Sequence, residues 1–188
     1  MRRIAAIDTA RLQLRPYRDS DLDALHALWT DTQVRRYLWD DAIIERTLAA
    51  EVMRASIATT AAVGFGHWAV CPAAEEDLIG FCGFRPSAET SDIEILYGLL
   101  PSHWGRGLAT EAAHAMLRFG FEEAGFARVI AITDAPNTAS VAVMRRLNMQ
   151  FDARFVHNGL DSVRYVMRRE AFRPAHGRYI VNEAERTT

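Results

Sequence analysis

Gly105-Arg106-Gly107 lies between an alternating apolar run and a helical pattern. In the run, Ile95, Tyr97 and Leu99 alternate with Leu96, Gly98 and Leu100, which reads as a buried strand. Pro101 ends it, because proline cannot donate to a sheet ladder. A strand, a glycine-bearing turn and a helix start together make an anion site. The first turn of a helix carries unpaired N–H groups at the positive end of its dipole, and glycine lets backbone approach a ligand closely. The expected ligand is a phosphate or pyrophosphate, held mostly by the main-chain amides of Gly105, Arg106, Gly107, Leu108, Ala109 and Thr110. A tight strand-to-helix turn with no ligand is the other reading of the same residues.

Two common phosphate signatures fail here. The nucleoside-triphosphate loop ends in Gly-Lys-Ser/Thr, which is absent. The dinucleotide fingerprint needs Gly or Ala three residues after its second glycine, where this chain has Thr110. What remains resembles the acetyl-coenzyme A loop of the GCN5-related N-acetyltransferase (GNAT) superfamily, Gln/Arg-x-x-Gly-x-Gly/Ala. Gly107-Leu108-Ala109 matches its end, while Trp104 stands where Gln or Arg is usual. The longer run "LLPSHWGRGLATEA" is similar to the Rim-type branch, ribosomal-protein-alanine N-acetyltransferase-like, in which Trp-Gly-x-Gly is usual. A second family pattern is Asn-x-x-Ser before a helix ending Leu-Gly-Phe. Asn137 and Ser140 match its start; Asn148 and Met149 replace the Gly and Phe.

The resemblance implies an α+β (mixed α/β) fold. Its centre is a mixed, mostly antiparallel sheet of about seven strands with a splayed strand pair, flanked by about four helices. It also implies acetyl transfer from acetyl-coenzyme A, as co-substrate and with no metal, to a primary amine by direct attack in a ternary complex. The acceptor is a protein N-terminal α-amine or a small-molecule amine. At pH 7 an α-amine is about one-tenth neutral, whereas a lysine amine is neutral in roughly one molecule in a few thousand. A general base or a proton path supplies the rest.

By the same resemblance, Tyr97, Leu99, Leu100, Trp104 and the turn residues 105–110 hold the coenzyme. Strand N–H groups near Tyr97–Leu100 serve the oxyanion, and Gly98 marks the irregularity where the strands part. Asn137 bonds the pantetheine or the substrate amide, caps its helix, or does both. Ser140 protonates the leaving thiolate, or is a capping or surface serine. Glu94 is the candidate base, with Asp92 on the same face by strand alternation; the alternative is a charge pair at a strand end. His67, between Phe65 and Trp68, reads as a structural histidine ahead of a catalyst. Trp29, Tyr37, Trp39, Trp68 and Phe84 line the acceptor site or form core. The rival function is a non-catalytic acyl-coenzyme A sensor or subunit with the same fold.

These residues need elements to carry them. Thr9–Arg15 alternates as a first strand. Asp19 or Ser20 can cap a helix bearing Leu22, Leu25, Leu28 and Trp29. Residues 43–60 read as a second helix burying Ile44, Leu48, Val52 and Met53 or Ala55. "GFGHWAVC" and "LIGFCGF" are two strands, "PSAETSD" a connection, and "ARVIAIT" a strand parallel to the central one by right-handed crossover. Asn137 caps a short helix whose left-handed stop is Asn148. Asn158-Gly159 joins a final hairpin. Residues 1–172 form one domain, and 173–188 a tail or contact arm.

The 188 residues can bury a sizeable core, and 49% apolar content is a globular value. A net charge of −2 argues against a nucleic-acid partner. No run is long and apolar enough to span a membrane, and the start is too short in apolar residues for a signal peptide. Cys71 and Cys82 lack metal or redox spacing and read as reduced core thiols of a cytoplasmic protein, monomer or homodimer.

Overall fold

A computed structural model describes residues 4–87 and 90–184. Part of the "PSAETSD" connection, 88–89, and the last residues of the expected tail, 185–188, lie outside the described residues. The strands are β1 (Ile4–Asp8), β2 (Leu12–Pro16), β3 (His67–Pro72), β4 (Gly80–Pro86), β5 (Ile93–Leu99), β6 (Arg128–Asp134), β7 (Gln150–His157), β8 (Leu160–Arg168) and β9 (Ile180–Glu183). The helices are α1 (Leu22–Thr30), α2 (Thr32–Arg35), α3 (Arg46–Val63), α4 (Leu108–Glu122) and α5 (Thr138–Arg146). One mixed sheet has the order β7-β8-β6-β5-β4-β3-β2-β1-β9, in which only β5 and β6 run parallel.

The sheet exceeds the expected seven strands at one edge. The strand expected over Thr9–Arg15 is β2 with the bend before it; β1 precedes that bend as an additional strand, and β9 adds beside β1 with Ile7 opposite Val181. Residues expected as a tail or contact arm thus cross α4 before entering the sheet. His114 accepts from Ala175 N–H at 3.2 Å, and the Tyr179 ring lies 4.2 Å from the Arg118 guanidinium carbon. β9 is too short and too weakly alternating for its strand character to show in the sequence.

Strand alternation divides the core in two. Trp68, Val70, Phe84, Ile95 and Leu99 face α4 and α5. Ala69, Cys71, Phe81 and Leu96 face α1 and α3. α3 buries Ala49, Ala50, Met53 and Ser56, a face turned from the expected one; Leu48 is exposed. Small residues let this helix lie close to the sheet, and Ser56 Oγ bonds both main-chain groups of His67, at 2.8 and 2.9 Å. Both cysteines are free and buried.

β5 is the hinge of the architecture. It pairs with β4 along its whole length, from Ile93 opposite Pro86 to Leu99 opposite Gly80. With β6 it pairs only at Ile93–Val129 and Glu94–Ile130, and the strands then part. Gly98 is not the cause: it stays in regular register opposite Phe81, and a Cβ there would meet the Phe81 ring at 2.6 Å. Its missing side chain makes room for Phe81.

At the other end of the sheet, Arg15 and Asp21 form a bidentate pair at 2.7 and 2.9 Å, with both side chains buried. Asp21 also accepts from Arg18 N–H at 2.7 Å, which turns the chain into α1. Removing one partner strands a buried charge. Asp21→Ala is expected to cost about 3 kcal/mol or more in urea unfolding, and the apolar pair Arg15→Met with Asp21→Leu to cost less than that single change.

Candidate functional site

Where β5 and β6 part, a cleft of about 1080 Å³ opens. It runs from the start of α4, past the start of α5, to α2 and the segment after it. Tyr97, Leu99, Trp104, Gly105, Gly107, Leu108, Ala109, Thr110, Asn137 and Ser140 all line it. The predicted residues that do not are Leu100, Arg106 and Glu94. Leu100 turns its N–H to the β4 side, where the carbonyl of Ile79, the residue before β4, accepts it at 2.8 Å.

That bond fixes the polarity of the strand. Successive residues of an antiparallel ladder direct their N–H groups to opposite sides. With Leu100 N–H committed to β4, those of Leu99 and Tyr97 point toward β6, which no longer reaches them. The Leu99 carbonyl is met instead by Trp104, whose Nε1–H donates to it at 2.7 Å. Trp104, in the place of the usual Gln or Arg, thus fastens the turn to the strand end.

The turn has the conformation its glycines permit. Gly105 has φ +71° and Gly107 φ +76°, the left-handed region that side chains with a Cβ disfavour. A Cβ on Gly105 would meet nothing within 4 Å, and one on Gly107 only the Arg11 guanidinium at 3.7 Å, so the space above the turn is open. Sequence reading missed the brace beneath it. Arg11, between β1 and β2, donates from Nη1 to the Arg106 carbonyl at 2.8 Å and from Nε to Glu111 Oε2 at 2.7 Å. Thr9 Oγ1–H and Arg11 N–H donate to Glu111 Oε1 at 2.6 and 3.0 Å. Burial pushes the Glu111 carboxyl up, but the bonds from Thr9 and Arg11 outweigh it and leave it below its ordinary range. Glu111 thus ties α4 to the bend between β1 and β2.

A polar chain crosses the gap between the parted strands. Asn137 caps α5 by accepting Ser140 N–H at 3.2 Å, and its Nδ2 donates to Thr133 Oγ1 at 3.0 Å. Ser140 Oγ lies 3.0 Å from the Tyr97 hydroxyl, which is also 3.2 Å from the Ser140 carbonyl. Burial raises the Tyr97 hydroxyl above its ordinary value, so it stays protonated.

Glu94 lies in the paired section of β5, 4% exposed, with Arg85 Nε donating to Oε2 at 2.9 Å. Asp92 meets Arg128 at 3.5 Å. His67 is pushed down to about 4 by burial and by the charge of Arg85, so it is neutral at pH 7. Its Nε2 is buried without a partner among the described residues, and it does not line the cleft. Of the aromatic set, Tyr37 lines the cleft; Trp29, Trp68 and Phe84 are core, and Trp39 packs edge-on to Trp29.

The outer end of the cleft is bounded by Thr32, Gln33, Arg36, Tyr37, Leu38 and Asp41. Beside it, sharing Arg36, Tyr37 and Asp41, is a hollow of about 310 Å³ that also contains Asp40, Asp134 and Asp161. Burial and the nearby Asp40 charge raise the Asp134 carboxyl above its ordinary value.

These features fit a diphosphate-bearing carrier with an amide-rich arm. The left-handed turn is open above, Thr110 Oγ1 lining the cleft is buried without a partner among the described residues, and Leu99 and Tyr97 present N–H groups to the gap.

Comparison with known proteins gives a consistent match. The family model for the acetyltransferase (GNAT) domain matches residues 11–150. An uncharacterized N-acetyltransferase, p20, of Bacillus licheniformis is 27% identical over 143 residues, covering 76% of this chain and 80% of that protein. The crystal structure of an acetyltransferase (GNAT family) from Bacillus anthracis superposes with a TM-score of 0.76 at 24% identity, covering 88% of this chain and 99% of that one. RimL, a ribosomal L7/L12 alpha-N-protein acetyltransferase in complex with coenzyme A, superposes with a TM-score of 0.70 at 20% identity, over 85% of this chain and 95% of that one.

Gly107→Val tests the turn. The β-branched side chain is strained at this φ and intrudes on the open face. Coenzyme A affinity by calorimetry is expected to fall at least about tenfold, with the thermal transition retained.

Proposed function

Since the chain belongs to the acetyltransferase (GNAT) family, we propose that it is a Rim-like N-acetyltransferase, with acetyl-coenzyme A as donor and a primary amine as acceptor. One observation carries this reading. The gap between β5 and β6 opens at the left-handed turn before α4, so anion grip, unpaired strand amides and Ser140 share one cleft.

Bound acetyl-coenzyme A supplies an activated carbonyl. The amides from Gly105 to Thr110, braced by Arg11 and Glu111, hold the diphosphate. The Leu99 and Tyr97 N–H groups serve the arm and the oxyanion, already oriented and away from bulk water. Asn137 fixes the α5 terminus, and Ser140 donates a hydrogen bond to the departing sulfur. The acceptor enters from the α2 side. Asp40 and Asp134 there offer carboxylates to an ammonium group, beside Arg36, while Asp41 and Asp161 are already paired with Arg35 and Arg154.

The amine must lose a proton before it attacks. An α-amine has enough neutral fraction near pH 8 to need little help. We therefore assign Glu94 first to holding the β5 start through Arg85, with direct proton acceptance as the alternative role. Cytoplasmic location goes with the free, buried thiols of Cys71 and Cys82.

Free-thiol release from acetyl-coenzyme A is the test, screened over peptide N-termini, polyamines, amino acids and aminoglycosides. Release above buffer with an α-amine is expected, rising with pH to about 8. Coenzyme binding without release for any amine would instead mark a sensor. Glu94→Gln separates that residue's two roles. Lower unfolding stability with an unchanged acid limb of turnover is expected; a shifted acid limb would identify Glu94 as the proton acceptor.

A further inference from the structure

We propose that Tyr97 is a positioning residue for the leaving sulfur: its hydroxyl holds Ser140 in the orientation that donates a hydrogen bond to the thiolate. The inference rests on the acetyl-transfer reading above and adds a residue to it from β5, on the far side of the gap from α5.

Two oxygens of one residue compete for the Tyr97 proton. The Ser140 carbonyl lies 3.2 Å away and the Ser140 hydroxyl 3.0 Å. If Tyr97 donates to the carbonyl, the serine proton can turn to the tyrosine oxygen, and none is left for a ligand. If Tyr97 donates to Oγ, the serine proton is free to point into the cleft that both residues line. A negative charge arriving in the gap selects the second arrangement, since a hydrogen bond to a charged acceptor outweighs a neutral one. Donation by Tyr97 also polarises the serine O–H, strengthening its own donation. Ser140 is held from the other side as well: its N–H is fixed by Asn137, which is fixed by Thr133 on β6. The hydroxyl therefore cannot drift with a frayed helix end.

No proton changes hands in this arrangement. A thiol ionises near about 8.5, many units below a serine hydroxyl, so the serine proton stays on oxygen while the sulfur keeps the electron pair from the broken carbon–sulfur bond. Burial keeps Tyr97 protonated throughout the working range. Phenylalanine at this position keeps the ring against the α4-side core and removes only the hydroxyl.

Coenzyme A itself is the probe, so no acceptor need be known. The thiol pKa of bound coenzyme A is read from thiolate ultraviolet absorbance, with the desulfo-coenzyme A complex as blank. Wild type is compared with Tyr97→Phe, Ser140→Ala and the double variant. Tyr97→Phe is expected to raise the bound thiol pKa by about one unit, Ser140→Ala by at least as much, and the double variant no further than Ser140→Ala alone. Coenzyme A affinity is measured for each variant at the same pH, so that every thiol pKa is read on saturated protein. A wild-type thiol pKa in a Tyr97→Phe protein that still binds coenzyme A would overturn the inference alone, as would additive shifts in the double variant. Failure of the wild-type protein to bind coenzyme A would remove the acetyl-transfer reading and this inference together.

Discussion

A strand that loses a neighbour must find other partners for its main-chain groups, and that requirement governs the centre of this protein. β5 keeps β4 along its whole length and keeps β6 for two residue pairs. Beyond the Glu94–Ile130 pair the ladder to β6 ends. The protein answers part of this need: Trp104 caps the Leu99 carbonyl, and the Tyr97 side chain reaches across to α5. The remaining N–H groups are what an amide-bearing ligand can use. The gap is therefore a supply of unused pairing capacity, flanked by the unbroken β4–β5 and β6–β8 ladders.

Holding it open takes anchorage from distant parts of the chain. The turn before α4 is built on two left-handed glycines, whose conformational freedom would make it a weak place if it hung free. Arg11 and Thr9 grip it through Glu111 and the Arg106 carbonyl. On the other wall, Asn137 ties the α5 terminus to Thr133. Each wall is tied to the fold by bonds of its own.

What was legible in the sequence was what local chemistry dictates. The Gly105–Gly107 turn, the Asn137 cap, the Asn148 left-handed stop at φ +60° and the Asn158-Gly159 hairpin all follow from the conformations that those residue types favour. The GNAT pattern rested on the same stretches, and the family match agrees with it. What was not legible lies in pairings across the sheet. Nothing near Glu111 signals that its partners are Thr9 and Arg11, about a hundred positions earlier. Glu94 reads as a free carboxylate until Arg85 is found opposite it. The buried face of α3 was misjudged because apolar count favoured Leu48 over alanines, while close approach to the sheet favoured the alanines. Gly98 looked like a break and is a berth for Phe81.

The brace on the coenzyme turn has one more consequence. It hangs from the bend between β1 and β2, and β1 is clasped on its far edge by β9 near the other end of the described chain. During synthesis, the ribosome must release residues 180–183 before β1 is sheltered on both sides. Until that segment emerges, β1 is a bare sheet edge, and the bend that braces the binding turn hangs from a strand paired on one side only.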